Sequence, residues 1–464
     1  MRPTAHPPVL GWKAEARQTV RLAWPLALAN LLQMLTYAVD VIFIARLGAD
    51  ELAASALSVA IFGLVLWSLS SLAGAVAPIM AAELGARAPA LRPVRRTVRM
   101  GLWHAALLGA AAMALCAQAE QIMLLTGQDP KLAALADDYM RVLLWSLVPM
   151  LLASVLRMFV AALGRPIFAT AITGLGIVIN ALANYAFVFG NLGAPEMGLA
   201  GAALATVITS LAILLAYVVA IRLDPRLHRY RVFGFFWRPD WHRFAEIWRI
   251  GTPIALTVTA EAGIFGAAAF LMGLLGAQQL AAHTVAMQIA ALAFQIPHGI
   301  SQGATIRVGY YFGARATLGV ARAGWTGIAI GAGFMATTAI AMLVAPEYLL
   351  AVYLDPWDPA NAQMVQFATT YLLVAAAFQL FDGIQAVTAG ALRGLKDTRV
   401  PMWIAIFAYW VPGFGLAMTL GFFTSLGGLG VWLGLAAGLV CSAILLLWRW
   451  HHRERLGLLA SGIA

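Results

Sequence analysis

Apolar stretches of about twenty residues recur along the whole chain, and nothing constrains its fold more. A stretch of that length is what one helix needs to cross a hydrocarbon core. Lipid offers no partner to an unpaired backbone N–H or C=O, so only helices or a closed barrel can cross it. Barrel strands would alternate apolar and polar residues, whereas these stretches are apolar all round. The fold class is therefore all-α and polytopic, with twelve spans at about 20–45, 52–79, 98–119, 139–163, 168–190, 199–222, 247–273, 280–310, 321–345, 367–392, 400–423 and 429–449. Several exceed the bilayer thickness, which predicts tilt or helix continuing beyond it. Only 11% of the 464 residues are charged. A water-soluble surface takes about 25%, so much of the exterior must face lipid.

The net charge of +10 does not point to nucleic acid, because the basic residues sit in short connections between spans. With an even number of spans both termini share one side. That side collects all but three of the 30 Lys and Arg residues, leaving Arg46, Lys131 and Arg141 opposite. Cytoplasmic connections carry the basic excess, so both termini are expected in the cytoplasm and the chain in the cell inner membrane. Cys116 and Cys441 lie in apolar spans and read as small buried residues. The polar, basic residues 1–18 precede a long span with no small-residue cleavage site, so no removable signal peptide is expected.

The chain repeats itself. Shifted by 228, residues 25–87 fall on 253–315 without a gap: Pro25 on Pro253, Leu47-Gly48-Ala49 on Leu275-Gly276-Ala277, Gly85-Ala86-Arg87 on Gly313-Ala314-Arg315. Later, Tyr139 and Leu163 fall on Tyr371 and Leu395 with a shift of 232. Six spans per half is even, so the halves keep one orientation. Such parallel repeats recur in secondary transporters, with the substrate site at the repeat interface near mid-membrane. The expected divisions are a cytoplasmic segment 1–19, an N-lobe 20–223, a linker 224–246, a C-lobe 247–449 and a cytoplasmic tail 450–464. The duplication makes a monomer sufficient. In the linker, arginines alternate with Tyr230, Phe233, Phe235, Phe236, Trp237 and Trp241, as in a segment lying at headgroup level.

Of 20 Asp and Glu residues, Asp40, Glu261 and Asp382 sit well inside apolar spans. A charge at mid-membrane costs at least about 2.5 kcal/mol, so such residues face a cavity and mark an ion, proton or substrate path. At least one is expected to exchange protons, or Na⁺ in their place. In the repeat, Glu261 falls on Gln33, Asp40 on Ala268 and Asp382 on Met150, so the two halves do different work. Asn180 and Asn184 are one helical turn apart and share a face. With Asp40 and Thr206 they would suit a hard cation such as Na⁺, although N-x-x-x-N also serves as helix glue. Gln288, Gln295, His298, Gln302, Gln379 and Gln385 add polarity to spans eight and ten. Tyr37, Trp145, Phe265, Phe294, Phe381 and Tyr409 could line a cavity for aromatic or cationic ligands. There is no G-x-x-x-x-G-K-[ST], and the lysines are Lys13, Lys131 and Lys396 alone. That argues against a nucleotide-driven pump and for an ion gradient. The histidines form no motif with an acid, which argues against a membrane-embedded enzyme, and no cofactor is expected.

These features are carried by residues in a particular order: Trp24-Pro25 through Asn30-Leu31-Leu32-Gln33, Val39-Asp40, Arg46-Leu47-Gly48-Ala49, Ala162-Leu163-Gly164-Arg165-Pro166, and Asn180 through Asn184-Tyr185. Gly193-Ala194-Pro195, Gly251-Thr252-Pro253, Glu261, Phe381-Asp382-Gly383-Ile384-Gln385 and the run from Gly390 to Pro401 follow. From about residue 17 to 450 the chain resembles the multidrug and toxic compound extrusion (MATE) transporters, in their NorM-like bacterial branch. The resemblance implies two six-helix bundles, alternating access, and export of organic cations or amphipathic drugs against inward H⁺ or Na⁺. It implies a cation site at Asp40, Asn180, Asn184 and Thr206, and another at Glu261 and Asp382. A substrate cavity would draw on Gln33, Tyr37, Phe265, Gln288, Phe294, Gln295, His298 and Gln385. Two positions depart from the family: Lys396 stands where glycine is usual, and other members carry Asp where Asn184 stands. A lipid-linked-sugar flippase of the same superfamily is the related alternative. It would want a cationic cavity, whereas the interior expected here is acidic and lacks arginine.

Overall fold

A computed structural model describes residues 9–87 and 89–459. Among them twelve helices are long and apolar enough to cross a membrane. They are α1 (Trp12–Ile44), α2 (Ala49–Ala86), α3 (Leu91–Cys116), α4 (Pro130–Ala162), α5 (Ile167–Phe189), α6 (Gly198–Leu223), α7 (Trp241–Leu275), α8 (Ala277–Gly313), α9 (Thr317–Val344), α10 (Pro359–Gly394), α11 (Arg399–Phe422) and α12 (Gly428–His451). No strand occurs among the described residues.

Helix ends follow local chemistry. Asp129-Pro130 and Asp224-Pro225 each start a helix: Pro fills a position whose N–H would be orphaned, and Asp accepts from the next two amides. Asp129 caps Lys131 N at 2.9 Å and Leu132 N at 3.1 Å. The repeat is visible in backbone conformation. Gly48 (φ 156°) and Gly276 (φ 136°) both precede a helix that starts with alanine, in a region open essentially to glycine. Lys396 also has positive φ, 60°, a left-handed conformation that favours glycine.

Several boundaries differ from the sequence expectation. α1 begins at Trp12, inside the expected segment 1–19. It does so because Glu15, in its first turn and fully buried, receives Arg307 through Nε at 2.8 Å and Nη2 at 2.6 Å, with the Tyr311 hydroxyl at 3.1 Å. α7 begins at Trp241, inside the expected linker. Just beyond α12, Arg453 is buried and donates to Trp450 O. α2 is interrupted at Gly74-Ala75, and α11 contains a π turn at Tyr409–Gly413. Pro412 accounts for the π turn, because it lacks the N–H that the α ladder needs.

The chain packs as two compact units. The N-unit comprises Leu28–Met80 and Pro89–Ala255; the C-unit takes the described residues up to Ala27, those of 81–87, and those from Leu256 onward. The limits fall inside α1 and α7, two residues beyond Pro25 and Pro253. In the N-unit, Ala54, Phe62, Ala112, Ala133, Ala136, Tyr139, Met140 and Ala202 form a core, and Ser58 Oγ donates to Ala136 O at 2.8 Å. Small side chains let helices approach closely where burial from water supplies no drive. In the C-unit, Tyr371 and Phe378 stack on Trp432 at 5.5 and 5.9 Å. There α8 and α10 run in one direction, joined by Ser301 Oγ to Ala386 O (2.7 Å) and Thr305 Oγ1 to Gly390 O (2.8 Å). Glycine is required at one repeat-related contact: a Cβ on Gly85 would overlap the Tyr310 carbonyl, and one on Gly313 the Ala82 carbonyl.

Candidate functional site

In the N-unit three helices converge on one carboxylate. Asp40, on α1, is 8% exposed. Its Oδ1 accepts from Asn180 Nδ2 at 2.9 Å and from Asn184 Nδ2 at 2.7 Å, and its Oδ2 from Thr206 Oγ1 at 3.3 Å. The four-residue spacing of the α5 asparagines puts both amides on one face, and both are fully buried. So the four residues proposed from sequence do come together. As arranged, the amides offer N–H to an ionised acid. Turned about its terminal bond, each would offer an oxygen to a cation held on Asp40. Asn184 Oδ1 is buried without a partner among the described residues.

Gln33 and Tyr37 precede Asp40 by two turns and one turn of α1 and share its face. Both are exposed, and Tyr37 interacts electrostatically with Asp40. Tyr139 is a residue that sequence reasoning used only as a repeat marker. It is 2% exposed, acts on Asp40, and lines a cleft of about 320 Å³ with Glu51, Asp138 and Met197. Tyr139 and Asp40 are on different helices, so no spacing pattern could have joined them.

The C-unit acids are arranged differently. Asp382 is buried on α10, and its Oδ1 has no partner among the described residues. Glu261, half-buried on α7, is within electrostatic reach of Asp382. Tyr409, at the first position of the π turn and fully buried, lies within reach of both acids. Gln385 donates to the Tyr409 hydroxyl at 2.6 Å and is itself buried, so it belongs to this cluster rather than to an open surface. Of the other substrate-cavity residues proposed, Phe265 packs on the C-unit core. Gln288 is exposed, Gln295 Nε2 donates to Ala291 O at 3.3 Å, and Phe294 and His298 have ring centroids 5.9 Å apart.

One expectation fails here: the interior does not lack arginine. Arg393 interacts with Glu261 and Tyr409. It is eleven residues, about three turns, beyond Asp382, which puts both on one face of α10. That spacing was a signal available in the sequence. In the N-unit, Arg157 donates to Asn30 Oδ1 at 3.3 Å. Among the described residues no group of three His, Cys, Asp or Glu side chains is placed to hold a metal ion.

The MatE family model matches residues 25–186 and again 253–419, two matches starting 228 residues apart. The chain belongs to the MatE family. This MatE chain is 44% identical over 445 residues to "Probable multidrug resistance protein NorM" of Mesorhizobium japonicum, covering 96% of this chain and 95% of that one. A protein of the same name from Brucella suis is also 44% identical, covering 95% and 94%. Among solved structures it resembles the eukaryotic MATE transporter AtDTX14, with a TM-score of 0.86 at 18% identity over 98% and 99% of the two chains. It also resembles an outward-facing multidrug resistance MATE family transporter, with a TM-score of 0.84 at 22% identity over 96% of each. These structures share the fold: an all-α membrane protein of two six-helix repeats. The two relatives are named as multidrug resistance proteins and the two structures as transporters; none is named as an enzyme.

Proposed function

We propose that this MatE protein is a secondary exporter of organic, cationic or amphipathic, drugs and toxic compounds, driven by inward H⁺ or Na⁺. The observation that carries the reading is the near full-length likeness to proteins named NorM. The buried acids supply the physics. Asp40 with Asn180, Asn184 and Thr206 is one ion site; Glu261 and Asp382 form the other, with Tyr409 and Arg393 beside them. An ion on these carboxylates and a bound drug favour different conformations. Only such differential binding shifts a population. The protein sits in the inner membrane with both termini cytoplasmic and works as a monomer without cofactor or nucleotide. Absence of interior arginine no longer argues against a flippase, given Arg157 and Arg393; the NorM likeness is what favours drug export.

Ethidium efflux from energised cells tests this, with H⁺ and Na⁺ gradients imposed separately on the wild type, Asp40→Asn, Glu261→Gln and Asp382→Asn. Efflux is expected to follow one gradient and to fall by at least about tenfold in the variants, a loss of ~1.4 kcal/mol or more, while each still reaches the membrane. A wild type that exports nothing under either gradient, or variants that match it, would sink the reading.

A further inference from the structure

The connection between α6 and α7 is a built structure. Three side chains on one face of α3, spaced four residues apart, each donate to one of its carbonyls. Arg95 Nε reaches Tyr230 O at 2.8 Å, Arg99 Nη1 reaches Phe235 O at 2.9 Å, and Trp103 Nε1 reaches Phe236 O at 3.1 Å. Two residues of the segment, Arg231 (φ 47°) and Phe235 (φ 56°), hold left-handed backbone that L side chains rarely adopt. Such strain persists only where the surroundings over-determine it, and it clusters at functional positions. Its result here is display: Phe235, Phe236 and Trp237 stand outward, Trp237 being 73% exposed.

Beneath these rings the charge is one-sided. Arg99 interacts with Arg95, Arg96 and Arg238, and Asp240 is the one acid acting on it. Asp240 approaches Arg96 only to 3.7 Å. Arg99 is 6% exposed, and its Nε has no acceptor among the described residues. The Arg238 guanidinium lies 5.1 Å from the Phe235 ring centroid. Arg95, Arg96 and Arg238 act on Arg99 with a single acid, Asp240, against them, which leaves positive charge and N–H donors in excess. Guanidinium forks match phosphate oxygens. Aromatic rings favour the headgroup boundary, where basic clusters meet anionic lipid.

We propose that this face of α3 and the α6–α7 segment bind the phosphodiester of an anionic phospholipid, with the acyl chains lying over Phe236 and Trp237. The sidedness proposed above serves only to name the leaflet, the cytoplasmic one. Native mass spectrometry of the full chain in detergent tests the site, with phosphatidylglycerol and phosphatidylcholine of equal acyl chains as probes. The wild type is expected to retain phosphatidylglycerol preferentially. Arg96→Gln/Arg238→Gln leaves the three carbonyl contacts in place and should weaken phosphatidylglycerol roughly thirtyfold, at the usual attraction per basic residue. Phosphatidylcholine should be unaffected. Arg96→Lys/Arg238→Lys should keep most of the binding, which separates lost charge from lost folding. Equal retention of the two lipids, undiminished phosphatidylglycerol binding in the glutamine variant, or displacement by millimolar inorganic phosphate would each overturn the proposal. Lipid retention does not depend on drug efflux, so failure here leaves the transport reading standing.

Discussion

The two units treat their buried acids in opposite ways. Asp40 receives three side-chain donors from two helices. Asp382 has an oxygen with no partner among the described residues and a second acid, Glu261, within reach. Arg393 acts on Glu261, so this cluster sets two acids against one guanidinium. The N-unit site is organised around hydrogen bonds, the C-unit site around charge balance. The difference sets what each contributes to stability as distinct from transport.

The largest test removes the carboxylates outright. Asp40→Leu would strand an N–H of Asn180 and one of Asn184 in a buried site, at about 1–3 kcal/mol each when a partner is lost, while Thr206 keeps its bond to Ala202 O. A total of ~2 kcal/mol or more is expected. Asp382→Leu removes a buried acid whose Oδ1 has no partner among the described residues, so little or no hydrogen-bond stabilisation is lost. Melting curves of the purified variants should therefore move apart, Asp40→Leu well below the wild type and Asp382→Leu level with or above it. Equal losses would show that the contrast between the units is not energetic.

The second test converts one site toward the other. Asn184→Asp places a second carboxylate beside Asp40, where an amide now donates at 2.7 Å. The variant loses a donor and gains a like charge, so it should be less stable than the wild type in the absence of cations. A cation bound at the new pair restores stability as its concentration exceeds its Kd, by about 2.7 kcal/mol at a hundredfold excess. Melting temperature should thus rise with Na⁺, or with falling pH, far more steeply than in the wild type. A salt- and pH-independent variant would mean that the N-unit site cannot hold a cation even when given the charge.

The contrast was partly legible in the sequence. Span number, the 228-residue repeat and the three buried acids follow from hydropathy and from the cost of a charge in lipid, which act at the level of single residues. The Asn180–Asn184 pair was legible because one helix carries both. What was hidden depends on neighbours. Arg393 ends a helix at a connection rich in basic residues, so charge counting placed it outside, while its three-turn spacing from Asp382 directs it to the acids. Tyr139 acts electrostatically on Asp40 from another helix, and no periodicity records that. The early start of α1 depended on Glu15 meeting Arg307, nearly 300 residues away.

A smaller effect probes how the C-unit acids are held. Tyr409→Phe deletes the hydroxyl that accepts from Gln385 at 2.6 Å. The Gln385 amide is then unmet, at a cost of about 1 kcal/mol in stability. The larger consequence should fall on transport, because the hydroxyl is the neutral polar group within reach of both Glu261 and Asp382. The ion dependence of ethidium efflux should shift while the maximum rate stays within a fewfold of the wild type. An unchanged ion dependence would make Tyr409 a packing residue.

The smallest expected effect lies in the N-unit. Thr206 Oγ1 reaches Asp40 Oδ2 at 3.3 Å, the longest of its three hydrogen bonds, and the same hydroxyl also donates to Ala202 O at 3.2 Å. Thr206→Val keeps the β-branched shape and removes one shared donor. Stability should fall by only about 0.5 kcal/mol, near the lower limit for a hydrogen bond. That is severalfold less than in Asp40→Leu. If Thr206 also ligates the coupling ion, the ion concentration giving half-maximal efflux rises severalfold at unchanged stability. If both measures stay at the wild-type values, the Asp40 site rests on its two asparagines alone, and the threonine serves the turn of α6 that it already bonds.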